Sequence, residues 1–251
     1  MASVLSSITR MGLYEPFELQ VARGQITGHS PVNIFGYQAA ATTVFHPVWE
    51  NVAAYNFPTS AQNMLVYSSS ASDVSCRIVI TGLDTNWNVI TEAVILTNGT
   101  TGVQTTNQFL RVNSVLATDA VYTNPVGTIY VGDIGKTAVY GQINVGIGRS
   151  QMSVYSVPAG HTFFLYRVDA YNNQGGGGNN YGLYRVSATD NTNGTTYIVL
   201  QSPFALNYNA RRCIPFPYTE KTDLQWQAAA ASSTMPVGII IEGILVKNSG
   251  T

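Results

Sequence analysis

Charge is the scarcest property of this 251-residue chain. Asp, Glu, Lys and Arg together make up 10% of it, against roughly 25% in an ordinary soluble domain. Thr, Ser, Asn, Gln and Gly take their place. Like-charge repulsion between copies is correspondingly weak, which suits a subunit whose surface is covered by neighbours. A secreted β domain with a neutral polar face would share the composition. The charge is also balanced: residues 1–150 hold six basic against eight acidic side chains, and residues 151–251 six against five. Neither half has the basic field that dominates affinity for nucleic acid. The adjacent basic pair Arg211-Arg212 reads as a strand end or a packing contact. Direct binding of DNA or RNA is therefore not expected.

Cysteine is nearly absent too. Cys76 and Cys213 are too far apart for a zinc knuckle or a redox pair, and each sits in an apolar, strand-like run, so buried free thiols are the first expectation. A disulfide between them stays open, because sequence does not fix their separation. No basic stretch followed by an apolar one opens the chain, so no leader is expected. No run approaches the roughly 18 apolar residues of a membrane span, and no membrane partner is expected. The most apolar stretch, Val237–Val246, is broken by Glu242 and two glycines and reads as a buried strand.

Catalytic and ligand-binding patterns are missing as well. His29, His46 and His161 have no second ligand at metal-site spacing, and a hydrogen-bonded structural role is favoured for each. Gly135-Lys136-Thr137 matches the end of a phosphate loop, but Tyr130 stands where the first glycine belongs and a strand, not a helix, is expected after it. Gly146-Ile147-Gly148 lacks the third glycine and the βαβ setting of a dinucleotide site. There is no Gly-x-Ser-x-Gly elbow. The carboxylates are scattered singly; Glu15 and Glu18, three apart, fall on opposite faces of a strand. The sequence thus assigns no catalytic, cofactor-binding or metal residues, and no cofactor. Tyrosine is abundant at 15 residues; its apolar face and polar tip suit contact surfaces and sugar stacking alike. Trp49, Trp87 and Trp226 are the candidates for a glycan-binding platform, with core packing as the rival role.

What is present is strand signal. Cys76–Ile80, Phe163–Val168 and Tyr197–Leu200 are rich in β-branched and aromatic residues with period-two alternation. Asn98-Gly99 and Asn193-Gly194 predict tight hairpins, and both sit in an Asn-Gly-Thr pattern that hairpin preference already explains. A longer hairpin is expected around Val157-Pro-Ala-Gly160. Leu165–Val168 and Leu183–Val186 repeat Leu-Tyr-Arg-Val and read as sister strands of one hairpin. Ala228–Ala231 is read as strand. Val4, Leu5, Ile8 and Met11 fit either a short helix or an extended arm. The glycine-rich stretch 142–150 suggests a boundary. The expected fold is all-β: an N-terminal arm or helix (1–13), then two antiparallel, jelly-roll-like β-sandwich domains (14–148 and 149–251). One long sandwich is the alternative.

Four segments resemble structural proteins of tailed bacteriophages of aquatic bacteria and cyanobacteria: Tyr14–His29, Val44-Phe-His-Pro-Val-Trp-Glu50, Val157–Leu165 and Ile241–Val246. They span both halves of the chain. The resemblance implies a virion component without enzymatic activity, assembled in the host bacterial cytoplasm, and carries over no functional residue. It does not fix the position on the particle. The role expected first, from the need for contact area and little else, is a capsid decoration or cement protein bound to the major capsid protein or to other virion proteins, a homo-oligomer for which shell symmetry favours a trimer. A neck, tail or baseplate piece is the alternative, and a glycan-binding host-recognition module a further one.

Overall fold

A computed structural model describes residues 15–51, 53–118, 124–172 and 181–248. Among these residues are one short helix, α1 (Phe17–Ala22), and sixteen strands. The first nine strands are β1 (His29–Ala41), β2 (His46–Pro47), β3 (Gln62–Ser68), β4 (Arg77–Leu83), β5 (Val89–Ile95), β6 (Val103–Phe109), β7 (Arg111–Ala117), β8 (Ile129–Gly132) and β9 (Val139–Ile143). The remaining seven are β10 (Val154–Ser156), β11 (His161–Asn172), β12 (Gly182–Asp190), β13 (Thr195–Phe204), β14 (Asn207–Tyr218), β15 (Thr222–Ala230) and β16 (Met235–Lys247). The all-β class expected from the strand patterns is what the chain adopts.

The strands form two sandwiches. In the first, the order β1-β16-β11-β14 makes one sheet; β10-β15-β12-β13, with β2 also on β15, makes the other. All pairings are antiparallel, and apart from the hairpin β12–β13 and the two short strands that flank the insertion, strands adjacent in sequence lie in opposite sheets, a jelly-roll-like connectivity. In the second, β6-β3-β8-β9 faces β5-β4-β7. Each sandwich has its own core. Phe163, Tyr184, Tyr218, Trp226 and Ile239 fill the first; Met64, Ile78, Ile80, Phe109 and Ile129 fill the second. Full burial of one such side chain is worth about 1.5–3 kcal/mol.

The second sandwich is inserted into the first. β1 pairs with β16 along nearly its whole length, from His29 opposite Val246 to Gln38 opposite Val237, so the two ends of the chain share a sheet. The chain leaves the jelly roll after β2 and returns at β10, and both short strands lie on β15. The expected division 14–148 and 149–251 therefore places β1 and β2 on the wrong side, because their partners are supplied by the last strands of the chain. The expected arm 1–13 lies outside the described residues. A small aromatic core, Trp49, Tyr55, Met152 and Val154, fills the joint, where Tyr55 Oη donates to the carbonyl of Tyr140 at 3.3 Å.

Three expected hairpins are arches between sheets. β5 and β6, flanking Asn98-Gly99, belong to different sheets, and it is Gly102 that takes positive φ (80°). β10 and β11, flanking Val157–Gly160, also part to opposite sheets, as do β11 and β12. At Asn98–Gly102 and Val157–Gly160 the turn residues reverse the chain, but in a sandwich the reversed strand crosses the core. Asn193-Gly194 does close a hairpin, β12–β13, with Asp190 opposite Thr195 and positive φ only at Gly194. Glu15 and Glu18 are not on a strand: Glu15 precedes α1 and accepts from Arg23, and Glu18 lies in the helix.

Candidate interaction surface

The sheet β1-β16-β11-β14 carries large apolar side chains on both faces, and a polar row, Asn33-Glu242-Arg167-Arg211, crosses the outer one. Its inner residues, Val168, Val237, Ile239 and Ile241 among them, belong to the jelly-roll core. Period-two alternation then turns Ile240, Glu242, Ile244 and Val246 of β16 to the outside. Phe164, Tyr166 and Tyr171 of β11 and Pro31, Phe35 and Tyr37 of β1 share that outside face. The opposite sheet is different: Arg185, Ser187 and Thr189 alternate with the buried Tyr184, Val186 and Ala188 along β12, and Gln225 and Gln227 do so with Leu224 and Trp226 on β15. An antiparallel sheet with one solvated face ordinarily alternates apolar inward and polar outward. The β12–β15 face obeys that rule and the β11–β16 face does not.

Two bulges and α1 shape this outer face into a groove. Leu165 pairs with Gly243 and Arg167 with Glu242, so Tyr166 is an extra residue against β16. On the other side Leu165 pairs with Phe216 and Arg167 with Arg211, leaving Arg212, Cys213, Ile214 and Pro215 opposite Tyr166. Bulges of this kind sit at edges and re-aim side chains, and here Ile214 is 85% exposed. One hollow of about 340 Å³ runs under α1; Val21, Pro31, Tyr166 and Ile244 give it an apolar side, and Glu18, Asn33, Arg167, Arg211 and Glu242 a polar one. A second of about 280 Å³ adjoins it, between Phe17, Phe164, Pro215 and Val246, and shares Tyr166 and Ile244.

The polar groups on this face form one row across the sheet, and three of them are linked. Arg167 makes a close ion pair with Asp169 and reaches Glu242 at 3.5 Å. Asp169 holds its guanidinium pKa up, with Glu242 contributing further. The buried Oδ1 of Asp169 has no hydrogen-bond partner among the described residues, a condition that native proteins rarely leave unresolved.

The residues singled out in sequence do not converge. His29 and His161 each place Nδ1 against a nearby carbonyl, of Thr27 at 3.1 Å and Ala159 at 2.8 Å. Among the described residues no three His, Cys, Asp or Glu side chains group as metal ligands. Cys76 is buried, as expected, but Cys213 is exposed on the β14 bulge and no disulfide joins them. Trp49 and Trp226 are core residues, and Trp87 stacks on the Arg111 guanidinium at 4.8 Å. The first two are no platform for a sugar, and the third already holds a guanidinium. The sequence patterns do not point to the groove as a site. Its signal was the unbroken run Phe163-Phe164-Leu165-Tyr166, which has no polar alternate.

No family model matches the chain, and no curated protein does. Among solved structures, that of infectious bursal disease virus Gt strain is similar at 10% identity over 93% of this chain and 78% of the other, with a TM-score of 0.20. A Bacillus thuringiensis Cry1Da tryptic core variant is similar at 9% identity over 84% and 53%, with a TM-score of 0.18. T=1 particles derived from the bursal virus give 10% identity over 89% and 75%, also at 0.18. At such scores the chains do not superpose as one fold.

Proposed function

We propose that the chain is a non-enzymatic structural subunit of a tailed-phage particle, acting as a decoration or cement protein on the capsid shell. The observation that carries this reading is the sheet with large apolar side chains on both faces. Exposed apolar patches bordered by polar residues mark protein contact surfaces, and the outer face of β1-β16-β11-β14 carries such a patch, around Phe164, Pro215 and Val246, beside the polar row Asn33-Glu242-Arg167-Arg211, on a chain with little charge to keep copies apart. The jelly roll is compatible with this role, since the architecture recurs in capsid and lectin domains, but a fold alone does not fix a function. The resemblance of Tyr14–His29 and the three other segments to phage structural proteins supplies the particle. A shell subunit needs contact area and no chemistry, and the face offers area.

Gold-labelled antibody raised against this chain, applied to intact particles, tests the reading. Label spread over the head is the expected result. Label confined to the neck, tail or baseplate would move the protein there. Particles shown by mass spectrometry to lack the chain would remove the virion reading altogether.

A further inference from the structure

We propose that the groove on the β1-β16-β11-β14 face receives the segment Met1–Leu13 of a neighbouring copy, so that each subunit hands its N-terminal arm to the next. The proposal rests on the reading of this face as an assembly surface and names its occupant. The described chain begins at Glu15, beside the groove, because α1 is one of its walls: Phe17 borders one hollow and Val21 the other. The thirteen residues before Tyr14 supply what a groove with one apolar hollow and one mixed hollow requires. Val4, Leu5, Ile8, Met11 and Leu13 are apolar, and Arg10 is the single charged side chain, with Glu18 available to it at the groove wall. Extended, thirteen residues reach about 40 Å, enough to leave one subunit and cross onto the next.

Local geometry favours the neighbour's groove over the chain's own. To lie beside α1 in its own groove the arm would have to double back antiparallel to the helix. Pro16 is extended (φ −54°, ψ 143°), and the residue before a proline is pushed toward extended conformations as well. The chain therefore enters α1 extended at Pro16, with Glu15 tied down by Gln20 Nε2, which donates to its carbonyl at 2.8 Å. A contact in which an arm meets a groove joins two different patches, and such head-to-tail contacts close into rings or run on as open arrays.

Disulfide trapping in the full-length chain tests the exchange. In a Cys213→Ser background, one batch carries Tyr166→Cys and another carries a cysteine at Val4, Ile8 or Met11 in turn. Mixed and mildly oxidised, they should give a covalent heterodimer, and a Thr85→Cys control on the inserted sandwich should not. Closure only within a chain carrying both cysteines would place the arm on its own groove and overturn the proposal, as would no link in either arrangement. As a second readout, Phe17→Ser and Tyr166→Ser, both at solvent-facing positions, should weaken self-association in sedimentation at least tenfold with folding intact; unchanged association would also overturn it. Labelled particles without trapping would leave the virion reading standing and remove the arm. Trapping without labelled particles would do the reverse.

Discussion

Arg111 of β7 and Asp223 of β15, 112 residues apart, form a buried two-pronged ion pair that fastens the inserted sandwich to the jelly roll. Arg111 Nε donates to Asp223 Oδ1 at 2.9 Å and Nη2 to Oδ2 at 2.8 Å, while Nη1 reaches the carbonyls of Pro58 and Leu110, both at 2.8 Å. Phe57 and Trp87 flank the guanidinium at 5.0 and 4.8 Å. Asp223 also accepts from Ser156 Oγ and from Asn191 Nδ2. Nearly every polar atom of the pair is matched, which is the condition under which a buried pair holds.

Removing one partner leaves the other charge buried and uncompensated. Arg111→Ala or Asp223→Leu should each cost about 3–5 kcal/mol in urea unfolding, and Arg111→Met with Asp223→Leu together should cost much less than the sum. Additive losses would mean that the two side chains act independently. Arg111→Lys should recover little, because an ammonium cannot reproduce the fork.

Glu50 gives the joint between the sandwiches a pH dependence. It lies between the two connecting segments, accepting from the backbone N–H of Asn144 and of Gln151 at 3.4 Å each. Burial raises its pKa to about 7, against the opposing effect of those two hydrogen bonds. The folded chain thus holds this proton where the unfolded chain has released it. Stability should fall as pH rises from about 4.5 to about 7 and stay level above that. Glu50→Gln should flatten this slope and gain on the order of 1 kcal/mol above pH 7, a figure discounted for partial exposure of the group. Thermal melts of both proteins from pH 4 to 8 would check it; parallel profiles would show that Glu50 does not carry the slope.

How legible this was in the sequence depended on range. Val237–Val246 and Leu224–Ala230 could be read as strands because burial imprints a local pattern on each. The helix Phe17–Ala22 was overlooked although Pro16 just ahead of it is a start signal; a single turn and a half of apolar and polar residues also fits a strand. The insertion left no local trace: His29 finds Val246, and nothing near either residue announces the other. Glycine 142–150 marked where the inserted sandwich ends, while its beginning, after Pro47, has no comparable run. The groove depended on two bulges, and a bulge is a mismatch between strands that neither strand shows alone.

Ile214 separates folding from assembly. At 85% exposure it contributes little to the isolated fold, so Ile214→Ser should change stability by no more than about 0.5 kcal/mol. Its burial against a neighbour would be worth about 1.5–3 kcal/mol, roughly ten- to a hundredfold in affinity per contact. Incorporation of Ile214→Ser into particles in competition with the unaltered chain should fall accordingly. Equal incorporation would place the bulge outside the contact.

The two thiols report on the same surface without any substitution. Cys213 sits on the β14 bulge next to Ile214 and is exposed, whereas Cys76 is buried in the core of the inserted sandwich. A thiol reagent added to the isolated folded chain should therefore modify one cysteine at once. The other should react only as fast as the inserted sandwich opens, since exchange at a buried core site needs local or global unfolding. Peptide mapping should assign the fast thiol to Cys213. In assembled particles the fast phase should disappear, because a neighbour covering the bulge also covers its sulfur. A fast phase that persists at full amplitude on intact particles would mean that the β14 bulge faces solvent there, and that subunits meet through another part of the sheet.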